Sequence, residues 1–299
     1  MYFCCMNKKR LIRIAKWTGG IILAIFLFVT ATLYIFKDEI CGLAIAEVNK
    51  HLKSKVSVGN VDLSFWGSFP KLSIDFEEVF IPVSGVEKEK DEDAILHALH
   101  FKRPNPKGLV FFLHGNAGSL RTWATGIDFY ERVNYDLFII DYRGYGKSTG
   151  KISSQQQLIS DVKQAWQVAS AQYTDKPIVI YGRSLGTGLA TILAKEVQPD
   201  LLALVSPYSS MIDIAKAQYP FVPSWLLRYP LRTDGIIGDI TSKVVFIHGS
   251  DDSFIPISHS QKLQSLSKNN APLITIKGAA HNDIHHLSDY RDALESVLP

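Results

Sequence analysis

Residues 177–196 read PIVIYGRSLGTGLATILAKE, and this stretch decides the architecture. Its first part, Ile178–Tyr181, is a short apolar run of the kind buried on both faces of a sheet. From Ser184 onward, SLGTGLATILAKE opens a helix. Between them lies Gly182-Arg183-Ser184-Leu185-Gly186, which matches G-x-S-x-G. A strand that hands over to a helix in so few residues must turn sharply, and side chains on either side of the serine would clash. The two glycines remove that clash, and the serine projects above the end of the sheet. The N-terminus of the helix beneath it favours developing negative charge. In that setting Ser184 is a candidate nucleophile rather than a plain helix N-cap.

Working outward, apolar runs alternate with helical stretches from about residue 83 onward, the signature of an α/β architecture with a mostly parallel sheet. Glu78–Pro82 and Ile95–Phe101 are expected to open the sheet as a strand pair around the charged turn at 87–93. Strands are expected at Leu109–Leu113, Leu137–Asp141, Ile178–Tyr181, Leu202–Val205, Val244–Ile247 and Leu273–Ile276. Helices are expected at about 121–132, 155–172, 185–196 and 259–268, with a last one from about 285.

A serine hydroxyl needs a base within hydrogen-bond reach. His281, in GAAHND, follows the last strand and precedes the last helix, and is the candidate base. His114 and His248 sit at strand ends before glycine and are read as shaping their turns. His285 stands four residues after His281, but no convincing ligand set surrounds the pair, so no metal is expected. The base needs an acid to fix its tautomer. Both Asp251 and Asp252 follow the strand Val244–Ile247 in HGSDDSFIP, and residue chemistry alone barely separates them. Backbone N–H groups at Asn116, in HGNAGS, and at Leu185 are the candidate oxyanion donors, with Ala117 as the near alternative to Asn116. Gly146-Lys147-Ser148 imitates a phosphate-binding loop, but the glycine that motif requires five residues earlier is Asp141. DYRGYGKSTG is better read as a strand end and a turn.

LHGNAGS, DYRGYGKSTG, YGRSLGTG, HGSDDSFIP and GAAHNDI together resemble the α/β-hydrolase superfamily, in its branch of membrane-associated serine esterases and serine aminopeptidase-like hydrolases. The resemblance covers about 78–299. It implies the α/β-hydrolase fold, a mostly parallel central sheet flanked by helices with a small cap insertion at about 207–241. It also implies acyl transfer to serine without a cofactor. The family pattern H-G-x-x-D-x-x-[IV]-P aligns on Asp252, giving the order Ser184, Asp252, His281. The cap segment Pro207–Thr241 is dense in aromatic residues, leucine and proline. Tyr208, Tyr219, Phe221, Trp225 and Leu226 are its candidate substrate-binding residues for an apolar acyl group.

The beginning of the chain carries a different signal. Residues 1–17 contain Lys8, Lys9, Arg10, Arg13 and Lys16 and no acid, more positive charge than the whole chain's net of +3. The remainder is therefore not basic, which excludes a nucleic-acid partner on electrostatic grounds. Residues 18–36, TGGIILAIFLFVTATLYIF, lack any charge and are long enough to span a bilayer. No small-x-small cleavage site follows, so an uncleaved transmembrane helix is expected rather than a signal peptide. The basic flank places the N-terminus in the cytoplasm and everything after it on the extracytoplasmic side, the periplasm in a Gram-negative source. In residues 37–77, a short amphipathic helix is expected at Ala44–Leu52, and alternating strand-like runs at Val56–Gly59, Val61–Phe65 and Leu72–Phe76. With the span, this region resembles the start of AsmA-like envelope proteins through K-D-E-I, N-K-x-L, V-x-V-G-x-V-D-L-S and S-F-P-x-L-S. About 45 residues of that pattern are present, and the long groove implicated in lipid handling is missing.

The expected function is hydrolysis of carboxylic esters or thioesters, of a small or lipid-derived acyl substrate, beside a membrane. A peptidase or amidase of the same fold is the alternative within enzymes, and a non-catalytic AsmA-like envelope scaffold is the alternative outside them. No protein partner is readable.

Overall fold

The computed structural model describes Phe28, Thr32, residues 60–62 and 71–73, and residues 76–299 apart from 86–91, 125, 222 and 269. The chain divides into two units, Met1–Ile74 and Asp75–Pro299. In the first, strands β1 (Asn60–Asp62) and β2 (Lys71–Ser73) form an antiparallel pair with Val61 opposite Leu72. The expected helix at Ala44–Leu52 lies outside the described residues, as does the expected membrane span except for Phe28 and Thr32. Among the described residues no helix is long and apolar enough to cross a membrane.

The second unit is built on eight strands. They are β3 (Glu77–Val83), β4 (Ala94–Phe101), β5 (Leu109–Leu113), β6 (Asp136–Ile140), β7 (Ile178–Arg183), β8 (Leu201–Val205), β9 (Lys243–Gly249) and β10 (Leu273–Ile276), in the spatial order β10-β9-β8-β7-β5-β6-β4-β3. The run from β10 to β6 is parallel throughout, and β4 and β3 continue it in antiparallel register. Every residue of β5, β6 and β8 is buried. This explains why those strands read as continuous apolar runs: a sheet covered on both faces has no solvent side to encode.

Seven α-helices are described in this unit: α1 (Leu120–Trp123), α2 (Ile127–Val133), α3 (Gln155–Ser170), α4 (Leu185–Val197), α5 (Met211–Gln218), α6 (Ser258–Leu266) and α7 (Ser288–Val297). α3 shows how they pack. Leu158, Val162, Ala165 and Ala169 are buried along one stripe, spaced to return to the same face every turn. Trp166 meets Phe111 of β5 edge-on at 5.4 Å. The Ser154 side chain accepts the Gln157 N–H and caps the first turn.

Two helix boundaries differ from the sequence reading. The single helix expected at about 121–132 is two, α1 and α2, because Gly126 adopts φ +88° and breaks the path. The last helix begins at Ser288 rather than about 285, since Ile284–His286 forms a 3₁₀ turn first. The segment after β6 that imitates a phosphate loop is a turn. Buried Arg143 anchors it through two bonds of 2.8 Å to Asp161 of α3.

The topology positions a site. From β5 the chain steps to β6 on one side and later returns to β7 on the other. The carboxyl ends of β5 and β7 therefore flank a crevice where the strand order reverses. The loops that carry Asn116 and Ser184 leave from those two ends, and the cap segment leaves from the end of β8 beside them.

Candidate active site

Ser184 sits at the turn between β7 and α4 with φ +49° and ψ −118°. A non-glycine residue in that region costs roughly 1–3 kcal/mol and persists only when its surroundings enforce it. They do so here through backbone contact. The Ser184 N–H donates to Val205 O at 3.0 Å. At Gly186 an added Cβ would lie 2.0 Å from the carbonyl oxygen of Leu113, so the first turn of α4 presses directly on the end of β5. The turn is thus held from both neighbouring strands, with the serine only slightly exposed.

Three side chains converge there. The Ser184 hydroxyl lies 3.0 Å from Nε2 of His281, and Nδ1 of His281 lies 2.7 Å from Oδ2 of Asp252. With the Nδ1–H donating to Asp252, Nε2 is left as an acceptor aimed at the hydroxyl. Asp252 is itself fixed: Oδ1 accepts the N–H groups of Phe254 at 3.1 Å and Ile255 at 2.8 Å, and Nε2 of His248 lies 3.4 Å from Oδ2. Burial opposes its charge. The hydrogen bonds from His248, His281 and the Ile255 N–H outweigh that penalty and hold the carboxyl well below the usual carboxylate range. Asp251 is arranged differently. It is exposed, and its carboxylate accepts from the Ser250 hydroxyl at 2.7 Å.

The segment bearing Asn116 and Ala117 runs beside the serine. A Cβ on Gly115 would come within 3.4 Å of the Ser184 Cβ. The Asn116 side chain accepts from the Tyr145 hydroxyl at 2.7 Å, and Ala117 adopts φ +66° with its carbonyl accepting the Trp123 indole N–H. Asn116 and Leu185, the two candidate oxyanion donors, therefore stand on the two segments that flank Ser184. His114 is fully buried and stacked on Trp123, and its Nδ1 lies 2.7 Å from the Gly115 carbonyl oxygen, a turn-shaping position.

The cap residues separate into two groups. Tyr208 is packed into the body of the unit. It is 1% exposed, its hydroxyl donates to Leu185 O at 3.1 Å, and it packs so closely on α4 that a Cβ at Gly188 would clash with it. The sequence places Tyr208 in the cap, but only Ser206 and Pro207 separate it from the end of β8, too few to leave the body. Tyr219 (60% exposed), Phe221 (89%), Trp225 (80%) and Leu226 (55%) stand out into solvent instead. α5 and its neighbours are tied to the body by Ser209, which donates to Asp213 at 2.6 Å, and by Lys262 of α6, which bridges Asp213 and Asp234.

Sequence reasoning missed three residues at the site. The Phe254 ring lies 4.9 Å from that of His281. His248 stands behind Asp252, where its spacing of four residues was the available signal. Arg183, at a position that G-x-S-x-G leaves unspecified, is buried and donates to the carbonyl oxygen of His281 at 2.7 Å. No motif assigns it that partner.

The profile described as "Serine aminopeptidase, S33" matches residues 104–234. Alpha/beta hydrolase domain-containing protein 17B of Xenopus tropicalis is 32% identical over 200 residues, covering 65% of this chain and 67% of that protein. Its Homo sapiens counterpart is 31% identical with the same coverage. Among solved structures, the Pyrococcus furiosus esterase Pf2001 superposes with a TM-score of 0.59 at 21% identity, over 75% of this chain and 91% of its own. Est1E of Butyrivibrio proteoclasticus, solved with ferulic acid bound, gives 0.59 at 18% identity over 73% and 96%. At those identities the two structures speak to the fold.

Proposed function

Because this chain belongs to the α/β-hydrolase superfamily, we propose that it is a membrane-anchored serine hydrolase that cleaves carboxylic esters or thioesters through an acyl-enzyme at Ser184. The observation that carries the reading is the unbroken hydrogen-bonded relay from Ser184 through His281 to Asp252. In this mechanism the Ser184 oxygen attacks the acyl carbonyl while Nε2 of His281 takes the hydroxyl proton. The buried Asp252 carboxylate stabilises the imidazolium so formed. The carbonyl electrons collect on an oxyanion that accepts from the N–H groups of Asn116 and Leu185. Collapse breaks the ester or thioester bond, and His281 returns its proton to the leaving alcohol or thiol. Water, deprotonated by His281, then attacks the acyl-serine and releases a carboxylic acid, restoring the hydroxyl.

Anchoring rests on the uncharged segment 18–36 and its basic flank, with the hydrolase unit on the extracytoplasmic side and the AsmA-like residues 37–77 joining the two in sequence. The exposed cap aromatics support a lipid-derived acyl group as the substrate. An amidase of the same fold is the competing reading, favoured by the aminopeptidase profile over 104–234. Comparing a thioester, an ester and an aminoacyl anilide as substrates separates the two. Fluorophosphonate labelling in membranes tests the mechanism itself. Labelling of the wild type that disappears in Ser184→Ala supports an activated serine, and no labelling of the folded wild type overturns it.

A further inference from the structure

We propose that Arg183 is a positioning residue that clamps the loop carrying the base His281 to the turn carrying the nucleophile Ser184. The inference rests on the proposed serine-hydrolase reading and adds a residue to it.

The geometry is specific. One terminal nitrogen of the guanidinium donates to the His281 carbonyl oxygen at 2.7 Å, and the other lies 3.2 Å from Nδ1 of His285 on the same loop. The guanidinium carbon lies 5.7 Å from the Trp123 ring, and the aromatic face favours a cation there. Arg183 is 4% exposed, its Nε finds no partner, and no carboxylate among the described residues meets its charge. A buried cation of that kind is a liability for stability, since burial removes its hydration and nothing of opposite charge replaces it. An apolar side chain would fill the same space at lower cost. Its presence is explained by the bond it makes: it spans the two loops whose relative position sets the distance from Ser184 Oγ to His281 Nε2.

The clamp also solves a placement problem. His281 approaches the serine from the loop between β10 and α7, which is not adjacent to β7 in the sheet. Asp252 orients the ring through Nδ1, but a ring held at one point still swings with its backbone. Tethering the His281 carbonyl to the residue immediately before the nucleophile makes the two loops move together. The partner residues fit that use. The Arg183 side chain is met from β7 by Tyr181, whose hydroxyl lies 2.6 Å from that of Tyr290 on α7, and from the base loop by His285.

The test uses the full-length wild type, Arg183→Met and Arg183→Lys in detergent or nanodiscs, with a short soluble ester as substrate. The readouts are kcat, KM and the strongly deshielded proton resonance of the His281 Nδ1–H bond to Asp252. For Arg183→Met the expected result is a fall in kcat of about 10²-fold with KM little changed, as displacement of a catalytic group by about 1 Å produces. The deshielded resonance should weaken or vanish with it. Arg183→Lys, which can still reach the carbonyl with one N–H, should recover part of both. A kcat within about threefold of wild type in folded Arg183→Met overturns the proposal, as does a fall in kcat that leaves the resonance intact. Should Arg183→Met not fold, Arg183→Lys decides on the same readouts: a weakened resonance with unchanged KM supports the clamp, and an unchanged resonance sinks it. If the wild type hydrolyses nothing and resists the fluorophosphonate, the serine-hydrolase reading fails, while the resonance still reports whether Arg183 holds His281.

Discussion

His281 donates its Nδ1–H to Asp252 across 2.7 Å, while Asp251, one residue earlier, turns its carboxylate to Ser250 on the exposed side of the same loop. The pair of acids that residue chemistry could barely separate is divided by the backbone. Asp252 is pulled inward by the N–H groups of Phe254 and Ile255, and Asp251 is tied through its own N–H to Ala279 O.

That division has a kinetic consequence. Asp252→Asn would reverse the hydrogen-bonding polarity at Oδ2 and favour the wrong imidazole tautomer, so kcat should fall by roughly 10³–10⁴-fold with little change in fold. Asp251→Asn should stay close to wild type. Steady-state kinetics on one ester, with both variants side by side, checks the assignment, and equal losses would count against it.

The turn itself is expected to tolerate no side chain at Gly186. A methyl group there would meet the Leu113 carbonyl oxygen, part of the backbone of β5, which has no way to step aside. Gly186→Ala should therefore cost at least about 1–3 kcal/mol of stability, the usual range for overpacking. Urea denaturation reads the loss directly, and a midpoint equal to wild type would show that the strand and helix ends can separate.

The elbow at Ser184 and the placing of His281 after the last strand could be read from local context, a strand that ends, glycines that allow a turn and a loop that follows, whereas residue chemistry left Asp251 and Asp252 open and only the resemblance to the family pattern pointed to Asp252. Strands β5, β6 and β8 were equally legible, since burial on both faces leaves a continuous apolar signature. What was not legible depends on contacts distant in sequence. Arg183 reaches a carbonyl 98 residues away, and a position the motif leaves unspecified gives no sign of that. Tyr208 was grouped with the cap aromatics because composition does not distinguish a residue still packed on α4 from one that has left the body. The break between α1 and α2 turned on Gly126, whose positive φ is a property of the fold around it.

Acid should destabilise the protein before its carboxylates titrate. Burial lowers the pKa of His100, whose Nε2 lies 2.9 Å from the Tyr173 hydroxyl, and it lowers that of His259 as well. A histidine whose folded pKa lies below its unfolded value of about 6.5 binds fewer protons when folded. Stability is therefore full above about pH 6.5 and declines as pH falls from there toward the folded value. The depressed carboxyl of Asp252 acts later, losing its contribution only below about pH 4. Thermal melts between about pH 7.5 and 5.5 should show Tm falling for the wild type and falling less for His100→Gln. Parallel slopes would show that His100 protonates as easily in the fold as outside it.

The cap aromatics are predicted to act on substrate and not on stability. Phe221 and Trp225 are 89% and 80% exposed, so replacing both by serine removes little packing, and the folding free energy should change by no more than about 0.5 kcal/mol for each. If they cover an acyl chain in the bound complex, their loss uncovers apolar surface only when the chain is long enough to reach them. For long-chain esters KM should then rise roughly ten- to thirtyfold, equivalent to about 1.4–2 kcal/mol of lost contact, or some two buried methylenes. Short-chain esters should be turned over as before. A chain-length series measured on wild type and on the Phe221→Ser, Trp225→Ser double variant separates the outcomes. A loss that grows with chain length places the acyl group against the cap. A loss equal at every length points to a displaced cap, and no loss at any length leaves the acyl group to the rim that Phe254 forms beside His281.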